Sequence, residues 1–121
     1  PWVALAACDM PWLTPEYYQV LAGQLHPPGQ VLIPRWARGP EPLAGAYHRT
    51  ALPVLLDALL RGERQMVRAA APLVACPAAP DWLEPFQPER LFANVNRPEE
   101  YHALPGALAA APRGQGMPRR R

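Results

Sequence analysis

Lysine is absent from this 121-residue chain, so all twelve basic residues are arginine. Four of them fall in the last stretch, Arg113–Arg121, and against ten acidic residues the formal charge is only +2. The body outside that tail is therefore neutral to slightly acidic, which argues against the basic footprint of a nucleic-acid binder. The lack of lysine beside 18 prolines and abundant alanine and arginine is a mark of coding composition more than of mechanism. Cysteine is scarce as well. Cys8 and Cys76 lie in separate apolar runs with no second close pair, which excludes a disulfide or Cys-metal framework and predicts two buried, reduced thiols of a cytoplasmic protein. His26, His48 and His102 are scattered, with no Cys or carboxylate at ligand spacing, which argues against zinc. No uncharged run approaches the roughly 20 residues of a membrane span, so a soluble chain without a membrane partner is expected.

What is present begins with Trp2-Val3-Ala4-Leu5-Ala6-Ala7-Cys8, an uncharged run that reads as a strand buried on both faces. Pro11 cannot donate to a ladder, so pairing should stop just after Asp9. Thr14 offers an N-cap oxygen and Pro15 a pre-set first helical residue, giving strand, short loop and helix in quick succession. In open α/β sheets the carboxyl edge of the strands is where ligands bind. Asp9 at that edge is a hard oxygen ligand suited to Mg2+ and a nucleotide's phosphates, or else a turn-capping aspartate. A parallel sheet needs strands on both sides of such a run, so further strands are expected upstream and the chain reads as the C-terminal part of a larger fold.

Apolar residues at helical spacing, Tyr17, Val20, Leu21 and Leu25, predict a helix over 15–25, ended by His26-Pro27-Pro28-Gly29. Val31-Leu32-Ile33 follows as a strand, completing a βαβ unit with a parallel, right-handed crossover. The breaker-rich Arg35–Pro42 stretch suggests a hairpin or excursion at the sheet edge, and Leu43–Tyr47 a further strand. Leu52, Leu55, Leu56, Leu59 and Leu60 mark a helix over 51–61 whose leucine stripe is expected to be core, with Gly62 as its stop. A short helix over 63–71, a strand at Leu73–Cys76, an irregular loop over 77–88 and an apolar entry at Leu91-Phe92-Ala93 complete the pattern. Asn96 resembles an N-cap for a last helix to about Leu104, and from Pro105 onward the Ala/Pro/Gly/Arg mixture cannot bury a core. The expected organisation is one partial domain over 1–104 and a disordered tail over 105–121.

Asn94 and Asn96 follow an apolar run and precede a Pro-Glu helix start, as Asp9 does, so a parallel sheet would deliver all three to one carboxyl edge. An asparagine amide can ligate a cation or bond a phosphate or ribose without adding charge; turn-forming asparagines are the alternative. Cys8-Asp9-Met10-Pro11 with Leu13-Thr14-Pro15-Glu16, Glu41-Pro42-Leu43 with Ala46-Tyr47 and Arg49, Gly62-Glu63-Arg64, and Phe92-Ala93-Asn94-Val95-Asn96-Arg97-Pro98-Glu99-Glu100 together resemble the C-terminal part of the molybdenum cofactor guanylyltransferase (MobA) family.

The resemblance implies an α/β, doubly wound (Rossmann-like) nucleotidyltransferase fold lacking its N-terminal strands and Gly-rich loop. It implies Mg2+-dependent transfer of GMP from GTP to the molybdopterin cofactor, with Asp9 as the metal- and GTP-binding aspartate and Asn94 and Asn96 beside the active site. No residue is implied as acid, base or nucleophile. The family's Gly-rich loop, with its Arg and Lys, has no counterpart; Gly114-Gln115-Gly116 sits in a polar tail with no strand before it. A cytidylyl- or sugar-nucleotide transferase therefore stays open, as does a non-catalytic remnant that binds molybdopterin or partners cofactor-delivery proteins. Trp12 and Trp36 are candidates to stack on a pterin or simply half-buried edge residues, and Arg35, Arg38 and His48 either face phosphate or lie in solvent.

Overall fold

The computed structural model describes residues 1–102. Leu104, the boundary at 104/105 and the tail over 105–121 lie outside the described residues. The chain runs β1 (Trp2–Ala4), α1 (Pro15–Gly23), β2 (Val31–Leu32), β3 (Arg35–Trp36), β4 (Gly39–Pro40), β5 (Ala46–His48), α2 (Leu52–Leu60), α3 (Met66–Ala70), α4 (Pro88–Leu91) and α5 (Pro98–His102). Three short 3-10 turns, Pro42–Ala44, Arg49–Ala51 and Glu84–Phe86, link these elements.

The main sheet has the order β1-β5-β2, and β5 runs antiparallel to both neighbours. A parallel bridge from Val31 to Ala75 extends it beyond β2. Side chains alternate across a strand, so neighbouring residues feed opposite faces. The Val31–Tyr47 pair enters a cluster with Ala51, Ala70 and Leu73 under α2 and α3. The adjoining Leu32–Ala46 pair enters the other cluster, with Tyr17 and Leu21 of α1 and with Leu83, Leu91 and Phe92 of the later segments. Helical and irregular segments thus cover both faces of the central strands, an α/β arrangement.

Local chemistry explains several elements. Thr14 Oγ1 accepts the Tyr17 N–H at 3.2 Å and Pro15 occupies the first turn of α1, as the sequence predicts. At the end of α2, Gly62 takes φ +90°, its N–H donates to the Leu59 carbonyl, and the Glu63 N–H donates to the Ala58 carbonyl. That paired pattern is the Schellman motif, and its left-handed position suits glycine. In the breaker-rich stretch the β3–β4 hairpin turns at 37–38, and Gly39, at φ +105°, opens β4 directly after it.

Five expectations are corrected. The opening strand is three residues long, ends at Ala4 rather than near Asp9, and is not buried on both faces: Val3 is 60% exposed. The β3–β4 hairpin reverses the chain and slots β5 between β1 and β2, so β1 gains an antiparallel neighbour instead of a parallel one. The leucine stripe of α2 is largely outside the core, with Leu52, Leu56, Leu59 and Leu60 exposed, because Ala51 just before the helix and half-buried Val54 and Leu55 make the packing contacts while the small Ala58 is the buried residue of the helix itself. The apolar entry expected at Leu91-Phe92-Ala93 begins as the end of a helix, α4, whose first turn Pro88 pre-sets and whose N-terminus Glu89 suits. Cys8 is exposed while Cys76 is buried, and both are free thiols.

Candidate functional site

Asp9 sits in the turn after β1, half-buried, with the Met10 N–H donating to the Ala7 carbonyl at 3.2 Å to close the loop. Its backbone carbonyl accepts the Val95 N–H at 2.7 Å. This one bond ties the Cys8-Asp9-Met10-Pro11 turn to the middle of Asn94-Val95-Asn96, 86 positions along the chain by number. The two motifs meet, although not by the route the sequence suggested. Asn94 and Asn96 follow a helix, α4, and arrive beside Asp9 on a loop. Both asparagines are exposed, Asn94 lines a cleft, and the Asn96 N–H donates to Glu100 Oε2 at 2.8 Å, which anchors the start of α5. The Asp9 carboxylate has no hydrogen bond or ion pair among the described residues.

The cleft measures about 660 Å³ and is lined by Trp36, Arg38, Glu41, Glu89, Phe92 and Asn94. The β3–β4 hairpin supplies one wall and the segment through α4 the other. Trp36 Nε1 donates to Glu41 Oε1 at 3.0 Å, the Arg38 guanidinium lies 5.9 Å above the Trp36 ring, and the Trp36 and Phe92 rings are 6.0 Å apart with a 40° tilt. Behind this wall Tyr17 is fully buried and its hydroxyl donates to the Ala44 carbonyl. Burial, then the neighbouring Tyr18 and the negative Glu41, push the Tyr17 phenol well above its ordinary range.

The remaining candidates separate clearly. His48 serves the backbone: its Nδ1 accepts the Thr50 N–H at 3.2 Å, and its ring meets Trp2 edge-on at 5.1 Å. Trp12 lies under the Arg90 guanidinium at 4.2 Å, away from the cleft's lining. Arg35 is exposed on β3. Glu41 and Phe92 belong to the cleft although sequence reasoning gave them no role; both lay inside the motifs that carried the family resemblance. No group of three or more His, Cys, Asp or Glu residues is placed to hold a metal among the described residues. No helix among them is long and apolar enough to cross a membrane.

Residues 1–76 match the MobA-like NTP transferase domain. A "Probable molybdenum cofactor guanylyltransferase" of Deinococcus radiodurans is 35% identical over 108 residues, covering 87% of this chain and 52% of the relative. A protein of the same name from a Nostoc species is 34% identical over 112 residues, covering 87% of this chain and 49% of the relative. The crystal structure of molybdopterin-guanine dinucleotide biosynthesis protein A from Archaeoglobus fulgidus superposes with a TM-score of 0.68 at 29% identity, over 82% of this chain and 51% of that one. The chain spans about half the length of these relatives. With the family model matched over residues 1–76 and the α/β architecture shared with a solved relative, the chain belongs to the MobA-like NTP transferase domain family.

Proposed function

We propose that this chain supplies the Asp9 and Asn94–Asn96 side of a Mg2+-dependent guanylyltransferase site, which moves GMP from GTP onto the molybdopterin cofactor in the cytoplasm. The observation that carries the reading is the 2.7 Å bond from the Val95 N–H to the Asp9 carbonyl, which draws the two motifs to one place. The shared name of the curated relatives favours a guanylyl over a cytidylyl donor.

The donor set suits Mg2+ brought in with a nucleotide. One half-buried carboxylate without a protein partner is too little for an all-protein cage, yet Mg2+ commonly takes one or two carboxylates plus phosphate oxygens and water. When bound, Mg2+ neutralises the triphosphate and the leaving pyrophosphate. Asp9 would hold it as a carboxylate oxygen ligand, with no role as a base. Asn94 and Asn96 would bond phosphate or ribose oxygens through neutral amides, orienting the donor without adding charge. A terminal phosphate oxygen of the pterin attacks the α-phosphorus and pyrophosphate departs, so no protein nucleophile is required. The Gly-rich loop that holds the triphosphate in the family has no counterpart in this sequence, and the 121-residue chain by itself is expected to show no turnover.

The test is binding of Mn2+ with GTP to the 121-residue chain, followed by electron paramagnetic resonance. Asp9→Asn should weaken the ternary complex by at least about tenfold, since even an outer-shell partner of a metal is worth that much. Unchanged binding by Asp9→Asn would remove the metal role.

A further inference from the structure

The charges around the 660 Å³ cleft set what it can hold. Glu41 and Glu89 contribute two carboxylates and Arg38 one guanidinium, so its charged lining is net negative and disfavours a triphosphate. A neutral, flat ring that offers N–H donors meets neither objection. Half-buried Trp36 presents the aromatic surface for such a ring, and the buried Phe92 ring 6.0 Å behind it supports the wall.

Glu41 is the most constrained group in this wall. Its Oε1 accepts the Trp36 indole N–H at 3.0 Å, and its own backbone N–H donates to the Pro34 carbonyl at 2.8 Å. Both contacts hold the residue in place. Each carboxylate oxygen has room for two hydrogen bonds, so one bond to Trp36 leaves most of the accepting capacity unspent. Oε2 accepts nothing among the described residues. A half-buried carboxylate that is held in one orientation and keeps its second oxygen open to the cleft suits a ligand with adjacent N–H donors.

We propose that Glu41 is a specificity-determining residue that reads the 2-amino-4-oxopyrimidine edge of a bicyclic heteroaromatic ring seated in this cleft. That edge carries a ring N–H beside an exocyclic NH2 and is common to pterin and guanine. The inference rests on the proposed function only in so far as that function brings both rings to the protein.

The experiment measures affinity of the 121-residue chain, by isothermal titration and ligand-observed NMR, for two matched pairs. Pterin against pteridin-4-one, and GMP against IMP, each differ only by the 2-amino group. At least one pair should show a preference of about tenfold or more for the amino-bearing member, the pterin pair naming the pterin and the GMP pair the guanine as occupant. Glu41→Gln keeps an oxygen for the Trp36 N–H and should bring that ratio to within about threefold while near-UV circular dichroism stays native. Equal affinities within both pairs, no binding of any of the four, or an unchanged ratio in Glu41→Gln would each overturn the proposal. The comparison in the unsubstituted chain does not depend on any variant folding. Failure of the metal reading would show instead as normal Mn2+–GTP binding by Asp9→Asn, which leaves the amino-group ratio untouched.

Discussion

Replacing Tyr17 by phenylalanine removes one oxygen from the best-buried side chain of α1. Tyr17 and Ala44 are both 0% exposed, and the Tyr17 hydroxyl donates to the Ala44 carbonyl across 27 positions of sequence. Without it the carbonyl loses its partner in a place water does not reach, at a cost of about 1–3 kcal/mol. Tyr17→Ala also empties the space among Tyr18, Trp82, Phe86 and Phe92, whose rings lie 4.9, 5.9, 5.8 and 5.8 Å from that of Tyr17. Truncating an aromatic in such packing costs about 3–5 kcal/mol, so the ring is worth roughly 2 kcal/mol more than the hydroxyl. Domains of this size have about 5–15 kcal/mol in all, which leaves Tyr17→Ala close to unfolding. Urea titrations followed by far-UV circular dichroism and tryptophan fluorescence should show a lowered midpoint with unchanged slope for Tyr17→Phe. Its Tm should fall by roughly 4–8 °C per kcal/mol. A Tyr17→Phe change within about 0.3 kcal/mol of the parent, or a Tyr17→Ala no worse than Tyr17→Phe, would refute the assignment of this contact as the clamp between α1 and the Pro42–Ala44 turn.

Alkaline pH tests two further phenols. Burial pushes Tyr47 up to about 12 from an ordinary 10.0, and burial also raises Tyr18. Because the folded state holds these protons more tightly, their contribution is complete below pH 10 and is lost as pH rises through about 12. For Tyr47 the ceiling is about 3 kcal/mol, and a denaturant midpoint that stays flat over that window would contradict the reading. Gly29→Ala would set a Cβ 2.3 Å from Cys76 Sγ, 2.8 Å from the His26 carbonyl and 2.9 Å from Cys76 Cα, so it should cost about 1–3 kcal/mol or more by denaturant titration. Adding Cys76→Ala should recover only part of that, since the backbone clashes remain. Gly23→Ala meets nothing within 4 Å and serves as the harmless control; equal midpoints for the two glycine variants would refute the packing argument.

Much of the local structure was legible because short-range chemistry decides it. Thr14-Pro15 starts α1 and Gly62 stops α2 through contacts within a few residues, whereas the Gly39-Pro40 pair, read as a turn, forms β4 just after the turn at 37–38. The leucines of α2 were misread because a helix apolar on every side has no preferred face until its neighbours supply one. Ala58 is buried while Leu60 is 79% exposed. The segment over 77–88 looked featureless for its prolines, yet Trp82 and Phe86 close over Tyr17. Distance along the chain hid that contact.

From sequence alone came the residue types and motifs, the family they resemble, and the chemistry that a carboxylate and two amides can perform at a phosphate site. Hydrogen-bond caps and turns act locally, and motif spacing survives without coordinates. Tertiary structure decided the partners. It inserted β5 antiparallel between β1 and β2, joined Val95 to the Asp9 carbonyl, and closed Glu41, Trp36 and Phe92 around one cleft. Those pairings depend on which buried surfaces and backbone groups satisfy one another across the whole chain, and no periodicity or spacing encodes them.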